Sequence, residues 1–160
     1  MLSKVFSLAI ILSTLAACKN VSHYNLSKSK KEYQIAASQL LDSIEKKKDS
    51  KTIRVQALKT IELAVPVLSS YGQKHPNCKV LTSFIIKKKG EMVKLTPAQL
   101  EDMYHEGNAL PKYDEECHDI KELVVHPATV VSLLNGKLTK ESYAQMFDEI
   151  EEVLGHFETL

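Results

Sequence analysis

Apolar residues recur along most of this chain at helical spacing. Tyr33, Ala37, Leu40 and Ile44 follow one another at intervals of four, three and four residues, the period that lines one face of an α-helix. Ser29-Lys-Lys-Glu32 ahead of them reads as a capping box. A second stripe, Leu58, Ile61, Val65 and Leu68, predicts a helix over residues 52–71, with Pro66 as an expected kink because proline lacks the N–H and crowds the preceding turn. Cys78, Leu81, Phe84 and Ile85 predict a third helix over 77–89. Leu95-Thr-Pro-Ala-Gln-Leu100 is the clearest helix start, with Thr96 as N-cap, Pro97 at the first helical position and Gln99 closing a capping box. This fourth helix should be short and end near Gly107.

Asp114 is positioned to cap a fifth helix that bends or restarts at Pro127 and stops near Asn135-Gly136. The last helix, after Thr139, carries the strongest stripe, from Tyr143 through Met146, Ile150 and Val153 to Phe157. No segment alternates as a strand does. The expectation is an all-α fold, a small antiparallel bundle of about five to six helices over residues 30–160.

The first eighteen residues differ from everything that follows. Lys4 precedes an apolar run from Val5 to Leu15, too short to span about 30 Å of hydrocarbon as a helix. The run ends in Leu15-Ala16-Ala17-Cys18. This segment resembles the signal peptide and lipobox of bacterial lipoproteins. The resemblance implies that residues 1–17 are removed and that Cys18 becomes a lipid-bearing first residue carrying fatty acyl chains such as palmitate. It further implies attachment to the membrane and, from Lys19 rather than Asp after the cysteine, an outer-membrane address facing the periplasm. Each buried acyl CH₂ contributes about 0.8 kcal/mol, so two or three chains anchor durably. Residues 18–29 then read as a polar tether.

Removing 17 of the 160 residues leaves 143, enough for one domain with its own core. Charge is balanced overall but graded: residues 19–59 hold 10 Lys/Arg against 4 Asp/Glu, and residues 100–160 hold 4 against 14. Neither half resembles a nucleic-acid patch, so no nucleic-acid partner is expected. With Cys18 lipidated, Cys78 and Cys117 remain, and in an oxidising compartment they read as one disulfide. Closing a loop of about 40 residues stabilises a fold by roughly 4 kcal/mol.

The candidate chemistry lies in two stretches, Met103 to Pro111 and Asp114 to Pro127. On the fifth helix Cys117, Ile120 and Val124 share one face, and Glu115, His118, Asp119, Glu122 and His126 fall opposite. Donors three and four residues apart on a helix are neighbours and can bind a metal. Glu115-x-x-His118 has the spacing used in di-iron bundles, and Asp102-x-x-His105 is a looser copy. Because the strip lies opposite the apolar face, it reads as a solvated surface, with His105, Glu115, His118, Glu122 and His126 as the metal candidates.

Covalent haem needs Cys-x-x-Cys-His, and Asp114-Glu-Glu-Cys117-His118 lacks the first cysteine. Non-covalent haem on Met103, Met146 and the histidines is an alternative. Hydrolase elbows, His-Glu-x-x-His and phosphate-binding glycine loops are absent from the sequence. Cys117 beside His118 is a poor nucleophile pair, since adjacent helical residues point about 100° apart. The reading is therefore non-enzymatic: a lipid-anchored envelope protein that binds a protein partner and uses no cofactor. The alternative is a metal- or haem-binding bundle, and a hydrolase of unrecognised type is a third possibility.

Overall fold

A computed structural model describes residues 26–160, apart from the side chains of Glu158 and Thr159; the signal segment and Cys18 lie outside the described residues. The architecture is an all-α antiparallel bundle: α1 (Leu26–Glu45), α2 (Ser50–Lys74), α3 (Lys79–Met92), α4 (Pro97–Leu100), α5 (His118–Leu133) and α6 (Lys140–Thr159). There is no strand among the described residues. Four long helices close a ring in which α1 packs on α2, α2 on α5, α5 on α6 and α6 back on α1. The third helix covers α2 and α5 from outside the ring, and α4 leans on α5.

Most boundaries follow from caps. Asp49 accepts from the Thr52 backbone N–H and starts α2. Thr96 and Gln99 form the reciprocal capping box expected at α4. Thr139 and Ser142 form another at α6. Two starts differ from expectation. The first helix begins at Leu26, ahead of the Ser29 cap, because Ser29 is buried inside it and Glu32 faces Lys28 instead, so part of the expected tether is helical. Asp114 makes no capping bond: its carboxylate accepts from Asn77, and a 3₁₀ turn at Glu115–Cys117 precedes α5. Both α2 and α5 run through their prolines, Pro66 and Pro127, as continuous helices.

The core stripes fall where the period put them on α1, with Tyr33, Ala37, Leu40 and Ile44 inaccessible or nearly so. On α2 the buried stripe is Ile53, Ala57, Ile61, Ala64 and Leu68, and Leu58 is exposed. Small alanines let α2 sit close to two neighbours, which a search for large apolar residues passes over. Cys78 and Cys117 are joined in a buried disulfide with Cα atoms 5.5 Å apart, tying the start of α3 to the start of α5. Tyr33 donates to the Leu123 carbonyl at 2.9 Å, fixing α1 against the middle of α5.

The largest departure concerns α5. Every residue from Ile120 to Ser132 is buried, so this helix has no solvated face along that length. It sits among α2, α3, α4 and α6, and a helix enclosed on all sides is normally apolar all round. This one buries Lys121, Glu122 and His126 completely or nearly so. Of the strip expected to face water, Glu122 and His126 therefore face protein, whereas Glu115 is exposed and His118 and Asp119 are half-buried.

Candidate metal centre

A buried carboxylate organises the site. Glu122, one third of the way along α5, is inaccessible to solvent. Its neighbour Lys121, also inaccessible, donates to Glu122 Oε1 and to the His105 carbonyl oxygen, the latter at 3.1 Å. Three histidines surround the same carboxylate. His105 Nδ1 is 3.3 Å from both Glu122 oxygens, His118 Nε2 is 3.3 Å from Oε1, and His126 Nε2 is 3.7 Å from Oε2. His118, Glu122 and His126 come from successive turns of α5, since residues four apart stack on one face.

His105 arrives from elsewhere. The chain after α4 widens into a π turn over Glu101–His105, closed by the Glu106 N–H on the Glu101 carbonyl at 2.8 Å. Single π turns recur at functional sites because the extra residue re-aims a side chain. Gly107 follows with φ of 89°, a left-handed conformation that glycine adopts without penalty. That turn sends the Asn108 and Ala109 N–H groups back to the carbonyls of Asp102 and Met103.

The last helix supplies the outer wall. His126 Nδ1 lies 2.7 Å from Glu149 Oε2, and a carboxylate can only accept, so Nδ1 carries the proton. Nε2 is then the ring nitrogen left to take another partner. That Nε2 is buried and has no hydrogen-bond partner among the described residues; Glu122 at 3.7 Å and Glu152 at 3.9 Å are too distant. His156, also on α6, is paired through Nδ1 with Asp119 Oδ1 at 3.0 Å. The four histidine rings form a closed circuit with centroid separations of 5.4 to 6.3 Å, three of the contacts T-shaped and the His126–His156 contact stacked. A cavity of about 240 Å³ opens against two of them, His105 and His126, with Glu101, Thr129, Glu149 and Glu152 also in its wall.

Electrostatics follow from this crowding. Burial by itself would raise the Glu122 carboxyl, but the His105 hydrogen bond and the Lys121 ammonium oppose it, and the carboxyl is held down at about 2. The His105 ring is pushed up, mainly by its bond to Glu122. Burial pushes His118 down, and the Lys121 ammonium adds to it.

Of the five metal candidates from the sequence, His105, His118, Glu122 and His126 converge here. Glu115 does not: it is exposed on the 3₁₀ turn before α5. Asp102 is exposed and bound to the Asn108 side chain, so neither Glu/Asp-x-x-His spacing places both of its members in the site. Met146, a haem candidate, is core, and Met103 packs against the core. Glu149, Glu152 and His156 were not singled out from the sequence. Each precedes a buried apolar residue of α6 (Ile150, Val153, Phe157) and so flanks the stripe without breaking it. The Glu152-to-His156 spacing of four was the available signal. A second grouping, Cys78, Cys117 and Glu116, has both sulfurs committed to the disulfide and offers no thiolate.

Compared with known proteins, the chain matches no family model, no curated protein and no solved structure. The case for function rests on the site.

Proposed function

We propose that this chain is a lipid-anchored protein of the cell envelope whose helical bundle binds a divalent transition-metal ion through His105, Glu122 and His126. The observation that carries the reading is the Nε2 atom of His126, buried without a hydrogen bond, with its ring oriented by Glu149. A carboxylate on the far nitrogen of an imidazole is the usual support of a metal-binding histidine, since it sets the tautomer and raises the basicity of the ligating nitrogen. An orphaned buried nitrogen is costly unless something occupies it.

Spacing agrees. Three donors at about 2.0–2.1 Å from one tetrahedral ion lie about 3.3 Å from one another. The ligand atoms of His105, Glu122 and His126 all fall within 4.8 Å, with the two contacts to Glu122 at 3.3 and 3.7 Å, and an ion bound there would displace the proton that His105 Nδ1 shares with Glu122. Two imidazoles and a carboxylate suit zinc, iron, nickel or copper better than calcium or magnesium, which prefer oxygen. The cavity of about 240 Å³ is smaller than the roughly 300 Å³ at which pockets for organic ligands begin, which favours an ion over haem.

Attachment rests on Leu15-Ala16-Ala17-Cys18. No described helix is long and apolar enough to cross a membrane, so the lipid is the proposed anchor, at the outer membrane facing the periplasm. The reading of the domain as a metal-free interaction module ranks below this one, because it gives the buried, unbonded Nε2 of His126 no task. The test uses the mature protein purified in detergent without chelator. Elemental analysis after dialysis should find bound metal, lost on His126→Ala. Metal-free protein that also fails to take up zinc, cobalt or copper refutes the site, and failure of wild-type cells to incorporate labelled fatty acid at Cys18 refutes the anchor.

A further inference from the structure

The cavity of about 240 Å³ beside the site has fixed charges of one sign in its wall. Its ionisable residues are the carboxylates Glu101, Glu149 and Glu152 and the two histidines His105 and His126. Among the described residues, no lysine or arginine lines it. The Thr129 hydroxyl, also in the wall, spends its proton on the Val125 carbonyl at 3.1 Å and offers an anion nothing. Resting on the metal site proposed above, we propose that this cavity is the port of that site, admitting hydrated divalent cations from solution and turning anions away.

The inner end of the cavity points to a cation. His126 lines it with 2% of its side chain exposed, and its buried Nε2 has no hydrogen-bond partner among the described residues. That nitrogen lies on the cavity side, 3.9 Å from the Glu152 carboxylate of the same wall. Exposure falls from the mouth inward. Glu101 is exposed, the Glu152 side chain keeps 61% of its exposure, Glu149 keeps 17% and His126 is dry. Carboxylates at the mouth stay hydrated, so they can hold a hydrated ion loosely and release it inward.

Each histidine in the wall has a carboxylate beside it. Glu101 opens the π turn that His105 closes, and Glu152 stands next to His126. Glu149 and Glu152 are three residues apart on α6 and so share one of its faces. The acidic wall is thus assembled from the π turn on one side and α6 on the other, with α5 between them. A concave surface lined by one sign of charge focuses the field, and it raises counter-ion association rates by about 10- to 1,000-fold. An anion meets the same field with the opposite sign. Exposed carboxylates contribute little as buried charge, but they set the rate at which a cation arrives, and salt weakens that effect.

Cobalt kinetics test the port apart from the site. Metal-stripped mature protein in detergent is mixed with Co(II) by stopped flow at low salt and followed by visible absorption, and bound metal is counted after gel filtration. Glu101→Gln combined with Glu152→Gln removes two wall charges and leaves Glu149 and the proposed ligands in place. The expected result is association about tenfold slower than wild type, with the ion still bound at saturation. The difference should vanish in about 1 M salt, where the screening length is about 3 Å. Glu115→Gln combined with Glu151→Gln makes the same change in net charge at exposed positions outside the wall, and should leave the rate nearly unchanged. An unchanged rate in the wall variant, or an equal fall in the control, overturns the port and leaves the metal site standing. Loss of the bound ion in the wall variant, with helical content kept by circular dichroism, also overturns it by making those carboxylates ligands. No cobalt bound by the wild type removes both.

Discussion

Neutralising one member of the Lys121–Glu122 pair should cost more than neutralising both. The two side chains are inaccessible to solvent and bonded to each other. Glu122→Gln keeps the shape but leaves the Lys121 ammonium buried beside a neutral amide. Lys121→Met leaves the carboxylate without its closest cation. Breaking a buried pair by removing one charge costs about 3–5 kcal/mol, whereas replacing both by neutral groups of similar volume is often close to neutral. The position of the Glu122 carboxyl supplies a separate figure: its fall from 4.5 to about 2 corresponds to about 3 kcal/mol at about 1.36 kcal/mol per pH unit.

The assay is urea unfolding of chelator-treated mature protein at pH 7 for the wild type, the two single variants and the double variant. Each single variant should lose about 3 kcal/mol or more, and the double variant should regain most of that. The pH dependence has a definite sign. A carboxyl depressed on folding contributes fully above its unfolded value of 4.5 and loses that contribution as pH falls toward its folded value of about 2. The gap between wild type and Glu122→Gln should therefore narrow from about pH 5 to about pH 3. Additive single losses, with a coupling below about 1 kcal/mol, or a gap constant across that range, would refute the argument.

Replacing both Cys78 and Cys117 by Ala should lower stability by about 4 kcal/mol, given a loop of 39 residues, and mapping of non-reduced peptides should recover the Cys78–Cys117 crosslink; a loss under about 1 kcal/mol would contradict it. Two glycine replacements should move in opposite directions. Gly107→Ala forces a side chain to φ of 89° and should cost about 1–2 kcal/mol in the same unfolding assay. Gly90→Ala sits inside α3 with nothing within 4 Å of the new carbon and should gain about 0.5–1 kcal/mol.

Elements with local causes were legible from the chain. The Thr96/Gln99 box, the start at Thr139, the stripe on α1 and the cysteine pair each depend on a few neighbouring residues or on composition, and each stands in the fold. The environment of α5 was not legible by the same means. Assigning one face to the core and the opposite face to water assumes that a helix meets the rest of the protein on one side. The run Leu123-Val-Val-His-Pro-Ala-Thr-Val-Val-Ser-Leu-Leu134 is apolar nearly all round, and that was the sign of a helix enclosed on every side. Read that way, Glu122 and His126 become buried polar groups that need partners. The Glu149 and Asp119 partnerships remained invisible because they depend on how α6 lies against α5.

Position along α5 also orders the site from outside to inside. The side chains of His118 and His105 keep 40% and 34% of their exposure, while His126 keeps 2% and Glu122 none. An ion approaching from water would meet partly hydrated imidazoles first, exchange water for them, and reach the dry carboxylate last. The proposed donors would be held before it arrived. His118 follows Cys117 directly, so the disulfide pins the first turn that presents it; the Lys121 bond to the His105 carbonyl pins the end of the π turn. Holding donors on rigid elements reduces the ordering entropy that binding would otherwise cost. The metal-free core carries that cost instead, as a buried ammonium, a buried carboxylate and an unbonded imidazole nitrogen. Replacing a buried ion pair by apolar residues of similar volume is often neutral or stabilising, and the proposed ion is what would offset the cost of the polar centre of α5.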